Sequence, residues 1–394
     1  MNANGVDRVG SATPADVLRL IRTGHARTRG DLQRLTGMAR STVAQRIDAL
    51  TEHGLVVTGQ DSVSSGGRPS STLLFNHRAG LVLTADCGAT HTRTAVFDLG
   101  LNVVAEEVSD LNIADGPVAV LDWLAARFTE LLMTVGDEGQ RVLAIGIGLP
   151  GPVEHATGKP VAPPIMPGWD GFDVPRYLQQ TFPVPVLVDN DVNLMALGEA
   201  AIAYPHVSPL AFVKVGTGIG CGIITGGRVF HGAHGAAGDI GHIRVTDHHD
   251  VVCWCGNVGC LEAVAGGKAL VANLRESGAR TNGDVVDRVL AGDAAAVRAV
   301  RNAGREIGGV LAGLVSTINP AVIVLGGQIA DAGQYLLAGV RETIYARSLP
   351  LGTRDLEVTR SRLADRAGIT GAAMMTTEHV LAADSIDALL GAVR

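Results

Sequence analysis

The spacing of apolar residues divides the chain into two regions with different periods. Up to about residue 55 the spacing is helical. Thr13-Pro14 opens a predicted helix over 13–23, with Val17, Leu20 and Ile21 on one face. A second helix is predicted over 29–36, with Leu32 and Leu35 inward, followed by a tight turn at Gly37. A third runs from Arg40 to about His53, and its stripe is Val43, Ile47 and Leu50 at i, i+4 and i+7. Gly54 ends it. Leu55-Val56-Val57 and Thr72–Phe75 read as paired strands around a polar loop, Ser64–Pro69. From Gly80 the period shortens. Leu81–Asp98 (LVLTADCGATHTRTAVFD) predicts strand, glycine-containing turn, strand, and Ala211–Gly226 (AFVKVGTGIGCGIITG) predicts the same about 130 residues later. Between them, Ala144–Val153 is an apolar strand ending in Gly-Leu-Pro-Gly-Pro. Val186–Glu199 is a strand that runs through Asp189-Asn190-Asp191 into a helix.

Two helices, a glycine turn, a third helix and a hairpin describe a winged helix-turn-helix, whose third helix enters a major groove. The residues facing outward there are Arg40, Ser41, Thr42, Gln45 and Arg46, all able to reach phosphates or base edges. Arg68, stiffened by Pro69, reaches toward a minor groove from the wing. Charge agrees with this. Residues 1–80 carry a net +4 and the remainder −11, within a total of −7. A basic head on an acidic body is expected when only the head meets a polyanion.

Composition narrows the class. The 394 residues are 46% apolar and 18% charged, which excludes a disordered polyelectrolyte and provides for two or three domains. No apolar run reaches the ~18 uncharged residues of a membrane helix. The start lacks the basic and apolar segments of a secretory signal. A cytoplasmic protein with no membrane partner is therefore expected.

The two hairpins suggest an internal repeat, and hence a two-lobed α/β body with a cleft. Glycine-rich turns let backbone amides approach an anion closely. Asn190 and Asp191 stand at the carboxyl end of a strand, where α/β folds place ligands, and suit a polyhydroxyl compound. A carboxylate at Asp191 bonded to a hydroxyl can also act as a general base in phosphoryl transfer. Helix capping accounts for one polar residue of the three, not for all.

Three of the five cysteines fall in Cys253-Trp254-Cys255-Gly-Asn-Val-Gly-Cys260. Cys253 and Cys255 are too close for an unstrained disulfide, whereas three thiolates and one further ligand make a closed tetrahedral zinc site. His242 lies eleven residues upstream of Cys253, and His248 and His249 compete for the fourth position. Cys87 and Cys221, each beside glycine, read as small buried residues.

Gly241-His242 followed by Cys253-x-Cys255-Gly-x-x-Gly-Cys260-x-Glu262, with Leu187–Glu199 and two phosphate-type hairpins upstream, resembles the ROK family of repressors and sugar kinases. The resemblance spans roughly residues 80–394. The head is similar to that of the family's xylose and N-acetylglucosamine regulators; ROK glucokinases lack it. The resemblance implies an N-terminal winged helix-turn-helix joined to a two-lobed, actin/hexokinase-like (ribonuclease H-like) ATPase fold. The implied domains are 1–76, a first lobe 77–188 to which 380–394 returns, and a larger second lobe 189–379 with the metal. It implies zinc on His242, Cys253, Cys255 and Cys260. Sugar is implied at Asn190, Asp191, Asp239, His242 and Glu262, with Asp191 as the base in a kinase. ATP and magnesium, where retained, would use Asp86, Gly88, Thr90, Gly216, Thr217, Gly218, Gly220, Gly326 and Gly327. A homodimer or homotetramer is implied.

Two departures bear on catalysis. Asp239 stands where the family usually has Glu, and Ala89 where it has a second Gly. Both weaken a kinase more than a sugar binder. The reading is a sugar-responsive regulator, a repressor, that binds double-stranded operator DNA and senses a sugar or sugar phosphate. The alternatives are an ATP-dependent sugar kinase with a DNA-binding head, and a constitutive DNA-binding protein whose body only dimerises.

Overall fold

The computed structural model describes residues 12–59, 72–136, 141–246 and 250–391. Arg68 and the wing tip, and the competing ligands His248 and His249, lie outside the described residues.

The head comprises α1 (Pro14–Arg22), α2 (Arg29–Thr36), α3 (Arg40–Glu52), β1 (Val56–Gly59) and β2 (Thr72–Phe75). Thr13 and Thr28 start α1 and α2 with capping boxes closed by Asp16 and Asp31, which satisfy backbone donors at each helix start. Gly37 adopts φ +71°, the left-handed turn that sets α3 across α2. β1 and β2 pair antiparallel with Val56 opposite Phe75. Val43, Ile47 and Leu50 are buried as the stripe requires. On α1 the buried leucine is Leu18, while Leu20 is half-buried. The single-face expectation fails because α1 packs on α3 and also on a C-terminal helix, so its apolar stripe is wider.

The body contains two five-stranded sheets of the same design. The first uses β3 (Leu81–Cys87), β4 (His91–Asp98), β5 (Val103–Asp110), β6 (Val142–Leu149) and β9 (Val186–Asn190), with α4 (Pro117–Val135), the ribbon β7 (Val153–Glu154) and β8 (Lys159–Pro160), and α5 (Val174–Leu178) between. Its order is β5-β4-β3-β6-β9. After α6 (Asp191–Ile202), the second uses β10 (Leu210–Val215), β11 (Ile219–Thr225), β12 (Arg228–Val229), β13 (Val322–Gly326) and β14 (Glu357–Arg360). Between β12 and β13 lie α7 (Leu261–Ala265), α8 (Gly267–Asn273), α9 (Asn282–Leu290) and α10 (Ala294–Ile318); α11 (Gln334–Arg347) and α12 (Pro350–Thr353) precede β14. Its order, β12-β11-β10-β13-β14, repeats that of the first sheet. In each, the opening meander is antiparallel and the last two pairings are parallel. The repeated hairpins of the sequence are the first two strands of each sheet.

The chain closes with α13 (Ala367–Val380) and α14 (Ala383–Gly391). The expected return to the first lobe at 380–394 is displaced: α13, at 367–380, packs on β3 and β6, and α14 goes on to α1 of the head. α6 and α13 cross between the two sheets, and two glycines permit it. A Cβ on Gly371 would lie 1.8 Å from the Leu194 carbonyl oxygen, and one on Gly198 would lie 2.3 Å from that of Ala367. Among the described residues, no helix is long and apolar enough to cross a membrane.

Candidate functional site

β9 ends at Asn190, and Asp191 begins α6. Asn190 is the helix cap: its Oδ1 accepts from the Val192 amide at 3.1 Å, while its Nδ2 donates to the Gly151 carbonyl at 2.8 Å. The side chain thus joins the strand end to the loop after β6. Asp191 is buried, and its Oδ1 accepts from the Val192 amide at 2.7 Å. Its Oδ2 accepts from the Lys214 ammonium, which comes from β10 in the other sheet. Asp86, at the end of β3, lies in the same place. A Cβ on Gly148 would stand 3.4 Å from Asp86 Oδ1 and 3.5 Å from Asp191 Cα. Burial pushes the Asp86 carboxyl up to about 6; the Lys214 charge opposes the rise and Asp191 adds to it.

The hairpin turns flank this centre. Gly88 and Thr90 lie between β3 and β4, and Gly216, Thr217 and Gly218 between β10 and β11. A Cβ on Gly218 would fall 1.9 Å from Glu262 Oε2, and that carboxylate accepts from the Ile219 amide at 3.2 Å. Glu262 therefore braces the second turn. Gly220 faces Val192 of α6, and Gly326 pairs with Lys214 across β10 and β13. Gly327, at φ +81°, lies against the Val215 backbone.

Around Cys253 to Cys260 the chain folds into a knuckle, with the Cys253 amide donating to the Asn257 carbonyl at 2.8 Å. One ligand atom from each of His242, Cys253, Cys255 and Cys260 lies within 4.8 Å of the others. Cys255 Sγ and Cys260 Sγ are 3.8 Å apart, and Cys253 Sγ is 3.6 Å from His242 Nδ1. A tetrahedral ion with sulfur at ~2.3 Å and nitrogen at ~2.0 Å has edges of about 3.8 and 3.5 Å, so the donor set fits zinc. Burial, then the neighbouring sulfurs, push the Cys260 thiol up to about 12, as expected where thiolates need a cation to coexist. Nε2 of His242 lies 4.0 Å from Asp239 Oδ1, which places Asp239 beside the cluster's histidine. Asp239 is exposed and Glu262 half-buried.

A second group was not foreseen. His231 Nε2 lies 2.7 Å and His155 Nδ1 3.4 Å from Oδ2 of buried Asp189, and the two rings stack at 3.9 Å. Asp189 also accepts from Asn193 Nδ2 at 2.9 Å. His155, Asp189 and His231 wall a cavity of about 730 Å³ between the body and α1, which contributes Leu18, Arg19 and Arg22. Asp189, in β9, and Asp191, the first residue of α6, thus have separate partners. His155 and His231 gave no sequence signal, being far apart in the chain. Lys214 did, as a lone cation in an apolar strand.

On the head, Arg40, Ser41 and Gln45 are exposed, while Thr42 and Arg46 are half-buried. No side chain caps α3 at Ala39, and its first turn holds no acid, leaving its positive end open toward solvent.

Residues 82–379 match the ROK family, and residues 15–59 match the IclR helix-turn-helix domain. The xylose repressor of Caldicellulosiruptor bescii is 28% identical over 381 residues, covering 93% of this chain and 95% of that repressor. The crystal structure of a ROK family transcriptional regulator, a homolog of the E. coli MLC protein, aligns with a TM-score of 0.80 at 27% identity, over 96% of this chain and 97% of its own. A ROK family glucokinase from Streptomyces griseus, solved with glucose and AMPPNP, aligns with a TM-score of 0.67 at 26% identity, over 75% of this chain and 99% of its own. A kinase is thus matched end to end by part of the chain, and a regulator by nearly all of it. The chain belongs to the ROK family and has the architecture of its transcriptional regulators, a helix-turn-helix head on a hexokinase-like body.

Proposed function

We propose that this protein is a cytoplasmic, sugar-responsive repressor. α3 reads operator DNA through Arg40, Ser41, Thr42, Gln45 and Arg46. The cleft at Asn190, Asp191, Asp239, His242 and Glu262 takes the sugar or sugar phosphate. The observation that carries this reading is one continuous core. Val43, Ile47 and Leu50 of α3 belong to the same buried cluster as Val82, Ala95 and Phe97 of the first sheet and Ile369 and Ala373 of α13. α13 packs along α6, whose first residue is Asp191. A ligand that shifts α6 therefore acts on the seat of the head. Such coupling is typically 1–3 kcal/mol and requires different ligand affinity in the two states.

Zinc on His242, Cys253, Cys255 and Cys260 supplies structure, since all four positions are filled by protein. It fixes the loop from Asp239 to His242 against α7, which carries Glu262. Two heads in a homodimer read half-sites whose spacing follows the dimer geometry. The names of relatives such as the xylose repressor support a carbohydrate effector. The test is an operator gel shift with the full chain, with and without sugars selected by thermal shift. A sugar that raises the melting temperature and changes operator affinity supports the reading. Operator binding indifferent to every stabilising sugar defeats it.

A further inference from the structure

The hairpins, Asp86 and Asp191 together form the outline of a magnesium-nucleotide site, but the charges within it do not fit one. Both Asp191 oxygens already have a partner: Oδ1 accepts from the Val192 amide and Oδ2 from the Lys214 ammonium. Burial, the largest single effect on Lys214, lowers its pKa, but Asp191 and Asp86 together outweigh it and the pKa is raised. Its Cε lies 3.5 Å from where a Cβ on Gly216 would be, so its stem runs beside the second phosphate-type turn. Arg93, the other cation acting on Asp86, is held by Asp365 and, at 3.7 Å, by Glu106.

We propose that Lys214 is a built-in cation that replaces the metal ion between Asp86 and Asp191, so that this cleft binds an uncharged sugar without a magnesium nucleotide. A divalent ion there would meet a fixed like charge in a desolvated site. A metal-free nucleotide fares no better. Two carboxylates around one ammonium leave a net negative charge, which opposes a polyphosphate. Paired with Lys214, Asp191 has its Oδ2 turned to the ammonium where a base would have to meet a hydroxyl proton. It retains its use as a fixed anion beside a sugar hydroxyl. This rests on the cleft being the sugar site of the proposed regulator and narrows its ligand class.

The test is equilibrium binding of ADP to the full chain, with and without excess magnesium chloride, in the wild type, Lys214→Met, Lys214→Thr and Lys214→Arg. The wild type and Lys214→Arg should show no magnesium-dependent binding. Both neutral variants should gain about tenfold or more in magnesium-dependent ADP affinity, the equivalent of one modest charge contact removed. Magnesium-dependent ADP binding by the wild type overturns the proposal, as does the lack of any gain in a neutral variant that keeps the wild-type melting transition. Manganese added to the wild type gives a reading that needs no variant. With ADP present its paramagnetic resonance signal should equal that of manganese and ADP without protein, and a further ADP-dependent loss of signal on adding the protein refutes the idea. Neither readout involves DNA or effector, so its failure is distinct from failure of the repressor reading.

Discussion

His231 Nε2 lies 2.7 Å from Asp189 Oδ2, and this contact joins the last strand of the first sheet to the loop leading from β12 to His242. His155, from the β7–β8 ribbon, stacks on His231 and points to the same oxygen. The group therefore clasps one lobe to the other, against a cavity shared with the head.

The clasp should be pH-dependent. The hydrogen bond to Asp189 raises the His155 pKa, and burial opposes it. A group whose pKa is raised on folding stabilises the fold fully below its unfolded pKa, about 6.5 for histidine. That contribution fades as pH rises through the higher folded value. Wild type should therefore melt above His155→Gln near pH 6, and the difference should shrink toward pH 8. His155 is partly exposed, so the gap should be small, below about 1 kcal/mol. Melting curves of both proteins across this range check the sign; a gap that widens with pH contradicts it.

The crossing of α6 and α13 should tolerate no added side chain. With 1.8 Å between a Gly371 Cβ and the Leu194 carbonyl oxygen, the obstacle is backbone and cannot swing aside. Gly371→Ala should cost about 1–3 kcal/mol or more, the range for overpacked cores. Gly313→Ala, in α10 where a Cβ meets nothing within 4 Å, is the control and should be neutral or slightly stabilising. Denaturant unfolding of both variants decides it.

What was legible in the sequence followed local periodicity and local chemistry. The two hairpins, the stripe on α3 and the cysteine knuckle each lie within a short window, so spacing sufficed. Leu18 was missed because α1 packs not only on α3 but also on α14, over 360 residues away. The place of α13 was missed for the same reason: helical spacing shows an apolar face but not the sheet it covers. Asn190 shows both at once. Its capping role was readable from the residues after β9, whereas its bond to Gly151 needs the loop after β6 brought alongside.

The cluster of His242, Cys253, Cys255 and Cys260 gives a direct prediction. Purified protein should contain about one zinc per chain, and Cys255→Ser should contain far less. Ligand binding and folding are coupled at such sites, so chelation should lower the melting temperature of the wild type. Cys255→Ser should melt lower still and be insensitive to the chelator. Cys221→Ser, a buried cysteine outside the knuckle, should keep its zinc. Unchanged zinc content in Cys255→Ser would remove that residue from the ligand set.

The two ends of the signalling path should separate by mutation. Gln45 is exposed on α3, and Asp191 is buried at the start of α6. Gln45→Ala should weaken operator binding by about 1–3 kcal/mol and relax base preference, if amide contacts are made to a base edge. It should leave sugar binding unchanged, because Gln45 is an exposed residue of the head and the proposed sugar residues all belong to the body. Asp191→Asn keeps the side chain's size while removing the charge that pairs with Lys214 and that the proposed reading offers to a sugar hydroxyl. It should leave operator affinity without sugar within about threefold of wild type. Its response to sugar should fall by about tenfold or more, since a ligand biases the head only through contacts that differ between states. Asn190→Ala acts differently: it removes a helix cap and should lower stability by about 0.5–2 kcal/mol along with sugar affinity. Gel-shift titrations with and without sugar, read beside melting curves, distinguish the three. If Asp191→Asn answers sugar as the wild type does, the effector binds elsewhere in the body.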